Sequence, residues 1–154
     1  TNNVKVSILS SDYNHKKDFS VIGYGTFITR GHWKDKQNVE PCLVSNYSRV
    51  FPPNYWFPIV FSSTDSFWAL KFDVTQVELI QLDNYEGVHL GLFERIQIPV
   101  ELKSGNKIKA FLYIPTENLI NSQMLTKELD TRDRWKEYIK TFPEIVQLFP
   151  ELII

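Results

Sequence analysis

Two short stretches of this chain combine residue types that can move a proton and hold a developing negative charge. Leu82-Asp83-Asn84-Tyr85-Glu86-Gly87 sets two carboxylates three residues apart at the end of a helical pattern, and Gly87 lets the chain turn directly after Glu86. A carboxylate drawn into a cleft at such a turn can serve as general base and then as general acid, whereas the same group in water is an ordinary surface acid. Gly23-Tyr24-Gly25-Thr26-Phe27 follows a short apolar run. Its glycines either let backbone N–H groups converge on an anion or give steric room for a tight turn. Ile28 stands where a dinucleotide fingerprint needs its third glycine, and the loop is not a Walker A sequence.

Other chemistries find less support. His15, His32 and His89 lack ligand spacing and no H-E-x-x-H occurs, so no metal site is expected. Cys42, flanked by Leu43 and Val44, reads as a small core residue in a strand rather than a nucleophile. Tyr55-Trp56-Phe57 and Trp33-Lys34 offer stacking surfaces, but Asp35 interrupts any basic track, and a pocket wall or core packing suits these aromatics better.

The elements that must hold these residues follow from periodicity. Val4, Val6 and Ile8 alternate with Lys5 and Ser7 as in a half-buried strand, and residues 19–22 form a second. Residues 30–40 are polar and their form is not fixed by pattern. Residues 42–51 alternate as a strand, Pro52, Pro53 and Pro58 make Tyr55-Trp56-Phe57 an extended connector, and residues 67–72 resume strand character. Thr75 and Glu78 have capping-box spacing, predicting a short helix that turns Val77, Ile80 and Leu82 to a core and ends near Glu86. Residues 92–100 and 108–114, joined by Lys103-Ser104-Gly105-Asn106-Lys107, read as an antiparallel hairpin. Trp135, Tyr138, Ile139 and Phe142 fall on one helix face that Pro143 ends.

The order describes an α+β domain. Its 154 residues suit one domain, and 43% hydrophobic with 14% aromatic residues can fill a core. A formal net charge of -1 argues against nucleic-acid and membrane partners. One cysteine, no apolar run near the ~20 residues of a membrane span, and no leader-like pattern in residues 1–11 lead to the expectation of a soluble, cytoplasmic protein.

A strand followed by Tyr24-Gly25-Thr26-Phe27, a helix ending in Leu82-Asp83-x-x-Glu86-Gly87, and a later strand with Ala110-Phe111-Leu112-Tyr113 resemble the γ-glutamylcyclotransferase-like superfamily, which includes γ-glutamylamine cyclotransferases and plant avirulence-induced proteins. The resemblance spans residues 19–115. It implies a single domain over 1–154, a small mixed β-barrel flanked by helices, with a C-terminal helical extension over 125–150. It also implies an enzyme that releases 5-oxoproline from a small γ-glutamyl substrate without cofactor or metal. By that likeness Glu86 is the catalytic acid/base, Tyr24, Gly25, Thr26 and Phe27 form the substrate-binding loop, Tyr113 near the pocket is a further substrate-binding residue, and Pro58-Ile59-Val60 is the family's proline-containing stretch. Phe93 stands where relatives often carry tyrosine, which removes a pocket hydroxyl, and Ala69 where they often carry glycine. A non-catalytic module binding an amino-acid-like ligand is the alternative on the same fold. Neither the leaving amine nor the oligomeric state is legible.

Overall fold

The computed structural model describes residues 18–154, so the strand read at Val4, Val6 and Ile8 lies outside the described residues. Five strands, β1 (Phe19–Gly23), β2 (Gln37–Val50), β3 (Ile59–Val74), β4 (Phe93–Leu102) and β5 (Lys107–Pro115), close into a barrel in the order β1-β3-β2-β4-β5. β2–β3 and β4–β5 are antiparallel hairpins, as the 103–107 turn predicts for the second, and β1 runs antiparallel to β3. Closure comes from a parallel contact of β1 with β5 at Val21 and Phe111, which makes the barrel mixed.

Residues 69–74 of β3 are buried on both faces, whereas β4 alternates buried Ile98, Val100 and Leu102 with exposed Gln97, Pro99 and Glu101. Ile22, Cys42, Val44, Ala69, Val100, Ala110 and Leu112 fill the interior, and small side chains such as Ala69 suit the narrow lumen. Val21, Leu70, Phe72 and Val74 face the other way and pack against Leu79, Leu82, Trp135, Ile139, Ile145 and Leu152 from the helices.

The helices are α1 (Thr26–Thr29), α2 (Gln76–Tyr85), α3 (Glu117–Ser122), α4 (Trp135–Ile139) and α5 (Pro143–Leu148), with short 3₁₀ turns at Val88–Leu90 and Pro150–Ile153. The Thr75–Glu78 capping box forms reciprocally, at 3.1 Å from the Glu78 N–H to Thr75 Oγ1 and 2.9 Å from the Thr75 N–H to Glu78 Oε1. The buried face of α2 differs from the expected one. Leu79 and Leu82 face the barrel, while Val77 and Ile80 are about half exposed, because residues three apart share a face and that stripe falls on Leu79 and Leu82.

Three further expectations need correction. β2 and β3 are longer than their apolar cores: Gln37 pairs with Asp73 and Glu40 with Lys71, and the polar residues 62–66 of β3 remain in the ladder, where Ser48 Oγ reaches Ser63 Oγ and Asp65 Oδ2 at 2.6 Å each. The connector before β3 bends rather than extending throughout, with Asn54 in the left-handed region and the Tyr55 N–H donating to the Pro52 carbonyl. At the C-terminus, α4 has five residues and Pro143 opens the first turn of α5 instead of ending one long helix. Trp135 and Ile139 are core residues, but Tyr138 is exposed. Among the described residues no helix is long and apolar enough to cross a membrane.

Candidate active site

A cavity of about 250 Å³ opens beside the loop that follows β1. The loop and α1 contribute Tyr24, Gly25, Thr26, Phe27 and Arg30; the connector before β3 contributes Trp56, Phe57 and Pro58. Tyr85 and Glu86 come from the end of α2, and Leu92 and Phe93 from the entry to β4.

Glu86 is the C-cap of α2, its N–H bonded to the Leu82 carbonyl at 2.9 Å. Gly87 then takes φ +68, and a Cβ there would meet Leu92 Cδ1 at 2.8 Å, so glycine makes without strain the turn that leaves Glu86 on the cavity wall. Burial pushes the Glu86 carboxyl up to about 7. Among the described residues, none donates a hydrogen bond to this carboxylate or pairs with it. Asp83, one helical turn earlier, has the opposite environment: it accepts the Tyr113 hydroxyl at 2.6 Å and pairs with Arg95 Nε at 3.0 Å. The two acids that the sequence places together are thus separated into one that is held and one that is free to exchange a proton.

The loop is held from behind. Tyr24 donates its hydroxyl to the Tyr113 carbonyl at 2.9 Å, and its own carbonyl accepts Arg49 Nη1 at 2.7 Å. Arg49 is fully buried, lies between the rings of Phe67 and Trp135 at 4.6 and 4.2 Å, and makes a bidentate pair with Asp133. In a planar trans peptide the carbonyl of one residue and the N–H of the next point in opposite directions, so the grip on the Tyr24 carbonyl turns the Gly25 N–H away from Arg49. The N–H groups of Gly25, Thr26 and Phe27 have no hydrogen-bond acceptor among the described residues, as the first turn of a helix leaves them; those of Ile28 and Thr29 close on the Gly25 carbonyl. A Cβ on Gly25 would lie 2.7 Å from Pro58 Cγ, so glycine is what lets the loop touch the connector.

Tyr24, Gly25, Thr26, Phe27 and Glu86 therefore meet around one cavity. Tyr113 does not reach its wall. It is wholly buried one layer behind, with its ring edge-on to Phe27 at 5.8 Å and its hydroxyl on Asp83, where it braces both the loop and the end of α2. His32 backs the same wall, packed on Phe27 and Tyr85 at 5.2 and 4.9 Å, and burial lowers its pKa. Arg30, Arg49, Tyr85 and Asp133 were not singled out by their motifs. Among the described residues no three His, Cys, Asp or Glu side chains cluster to hold a metal ion.

A family model described as gamma-glutamyl cyclotransferase, AIG2-like, matches residues 21–137. The chain belongs to this family. The match extends past residue 115 to take in Asp133 and Trp135, the partners of Arg49, so the AIG2-like domain includes the contacts that hold the loop. Solved structures with the same fold include one named gamma-glutamyl cyclotransferase, at TM-score 0.54 and 20% identity over 64% of this chain and 66% of that one, just under two thirds of its length. A protein from Arabidopsis thaliana gives TM-score 0.58 and 19% identity over 84% and 82% of the two chains. An AIG2-like protein from Mus musculus gives 0.51 and 17% over 62% and 76%. At these identities the likeness is one of fold. No curated protein sequence matches the chain.

Proposed function

We propose that this AIG2-like protein is a γ-glutamylcyclotransferase-type enzyme that converts a small γ-glutamyl amide to 5-oxoproline and a free amine, with Glu86 as general acid/base. The observation that carries this reading is the unpaired Glu86 carboxyl, raised to about 7 by burial, on the same cavity as the free N–H groups of Gly25, Thr26 and Phe27. A group with a pKa near the working pH can both take and return a proton.

The substrate already contains nucleophile and electrophile. Its α-nitrogen attacks its own γ-carbonyl carbon, forming the ring C–N bond, and the bond from that carbon to the departing nitrogen then breaks. Two protons move from the α-ammonium to the leaving nitrogen, which departs as an ammonium, and in this reading Glu86 carries them in turn. Water is not consumed. Negative charge that builds on the γ-carbonyl oxygen, or the standing charge of the α-carboxylate, is met by the loop N–H groups; loss of one such donor typically costs about 3 kcal/mol in the transition state.

Wild type and Glu86→Gln are to be compared on a panel of γ-glutamyl compounds, with 5-oxoproline followed by mass spectrometry. Gln keeps the shape but cannot exchange the proton, so turnover is expected to fall at least ~100-fold while substrate affinity changes much less. Equal turnover by the two proteins would remove Glu86 from the mechanism. Tight binding of panel members without turnover by wild type would make the chain a binding module.

A further inference from the structure

Among the described residues, two charged side chains line the cavity, Glu86 and Arg30, and they sit at different depths. Glu86 is largely buried at the end of α2, whereas Arg30, the C-cap of α1, is exposed. Arg30 rests on the indole of Trp56, with its guanidinium carbon 5.1 Å from the ring centroid, and Trp56 is itself 61% exposed. No carboxylate of the described residues pairs with Arg30. The pair is an exposed part of the cavity lining and so serves as its lip, and Phe57, Leu92 and Phe93 add apolar surface to the same lining.

Cyclisation dictates which end of the substrate lies at each depth. The α-nitrogen and the γ-carbonyl must both be within reach of Glu86, and the α-carboxylate shares its carbon with that nitrogen, so the whole glutamyl moiety belongs to the inner site. The loop N–H groups of Gly25, Thr26 and Phe27 are available to it there. What protrudes past the lip is the departing amine. A guanidinium held on an indole keeps its hydrogen-bonding edge free, and its planar fork matches a carboxylate. The same charge opposes a second ammonium.

We infer that Arg30, positioned by Trp56, is a specificity residue that selects departing amines bearing a carboxylate over neutral ones and places polyamine conjugates among the poor substrates. This rests on the cyclisation reading above. The aromatic and apolar walls further favour an amino acid with a large apolar side chain.

The test uses two compounds that differ in one charge, γ-glutamyl-phenylalanine and its C-terminal amide, with γ-glutamyl-putrescine as the cationic comparison. Wild type is expected to favour the acid over the amide at least about fivefold in kcat/KM, chiefly through KM, and to use the putrescine conjugate least; the preference should shrink as salt is raised. In Arg30→Gln the acid-to-amide ratio should fall to near one, and Arg30→Lys should restore part of it. A wild-type ratio near one, or a ratio that survives Arg30→Gln, overturns the inference while cyclisation stands. Absence of 5-oxoproline from all three compounds removes the cyclisation reading, and this inference with it.

Discussion

Folding makes the Glu86 carboxyl less acidic, and this leaves a signature in stability as well as in rate. Its pKa in the folded chain is about 7 against an ordinary 4.5, so between those values the native state holds more protons than the unfolded state and stability falls as pH rises. The loss is complete above pH 7, on the order of 3 kcal/mol, and absent below the unfolded value. Glu86→Gln carries no such group, so it is predicted to be more stable than wild type at pH 8 and to converge with it near pH 4, as urea unfolding at both pH values would show. If Glu86 is the base of the proposed cyclisation, wild-type kcat/KM should rise with pH through about 7 as its carboxyl ionises. Equal stability of the two proteins at pH 8 would mean that the carboxyl is not desolvated. Glu86 and the Tyr24-Gly25-Thr26-Phe27 loop were legible because each is a contiguous run whose residue types state their chemistry. Arg49 was not. A register shift between Ser45 and Tyr47, with Asn46 in the left-handed region, changes which face the following residues of β2 present, so alternation counted from Cys42 and Val44 does not place Arg49 inside.

Elements set the precision with which those residues meet. α2 delivers Glu86 through three local devices that are written in the sequence: the capping box at its start, Leu79 and Leu82 on the barrel, and the left-handed Gly87 at its end. The loop after β1 depends instead on a contact between residues 84 positions apart, Arg49 on β2 and Asp133 in the segment before α4. Local pattern cannot reveal such a pair, nor the polar halves of β2 and β3, whose ladder partners rather than their hydropathy make them strands. Removing one member of a buried ion pair leaves the other charge stranded, a change that costs about 3–5 kcal/mol. Asp133→Ala is therefore predicted to lower the thermal midpoint strongly, and Asp133→Glu to recover part of it; a midpoint unchanged in Asp133→Ala would show that water replaces the carboxylate without loss. Trp135 stacks on the other face of the same guanidinium, so the C-terminal segment belongs to the structure of the site.

At the scale of the whole molecule, hydrophobic pattern was enough for an α+β domain, but closure of the sheet was carried by the family resemblance alone. The reason is physical: the closing contact joins the first described strand to the last, in parallel, and nothing in either strand's own sequence names its partner. The barrel that results has two packed layers, a narrow lumen and an outer layer shared with the helices. Cys42 lies in that lumen. It is the one thiol in the chain, has no solvent-exposed surface, and burial pushes its pKa up to about 12. Neither access nor ionisation allows it to be alkylated while the strands are paired, so each modification event records an opening of the barrel. Under native conditions iodoacetamide should label Cys42 at a rate that follows the open population and rises with urea, and a ligand that binds the folded cavity should slow it. Labelling at the speed of a free thiol in the absence of denaturant would contradict the sealed lumen. The single cysteine thus makes the chain its own clock for barrel breathing, readable by intact mass without any added probe.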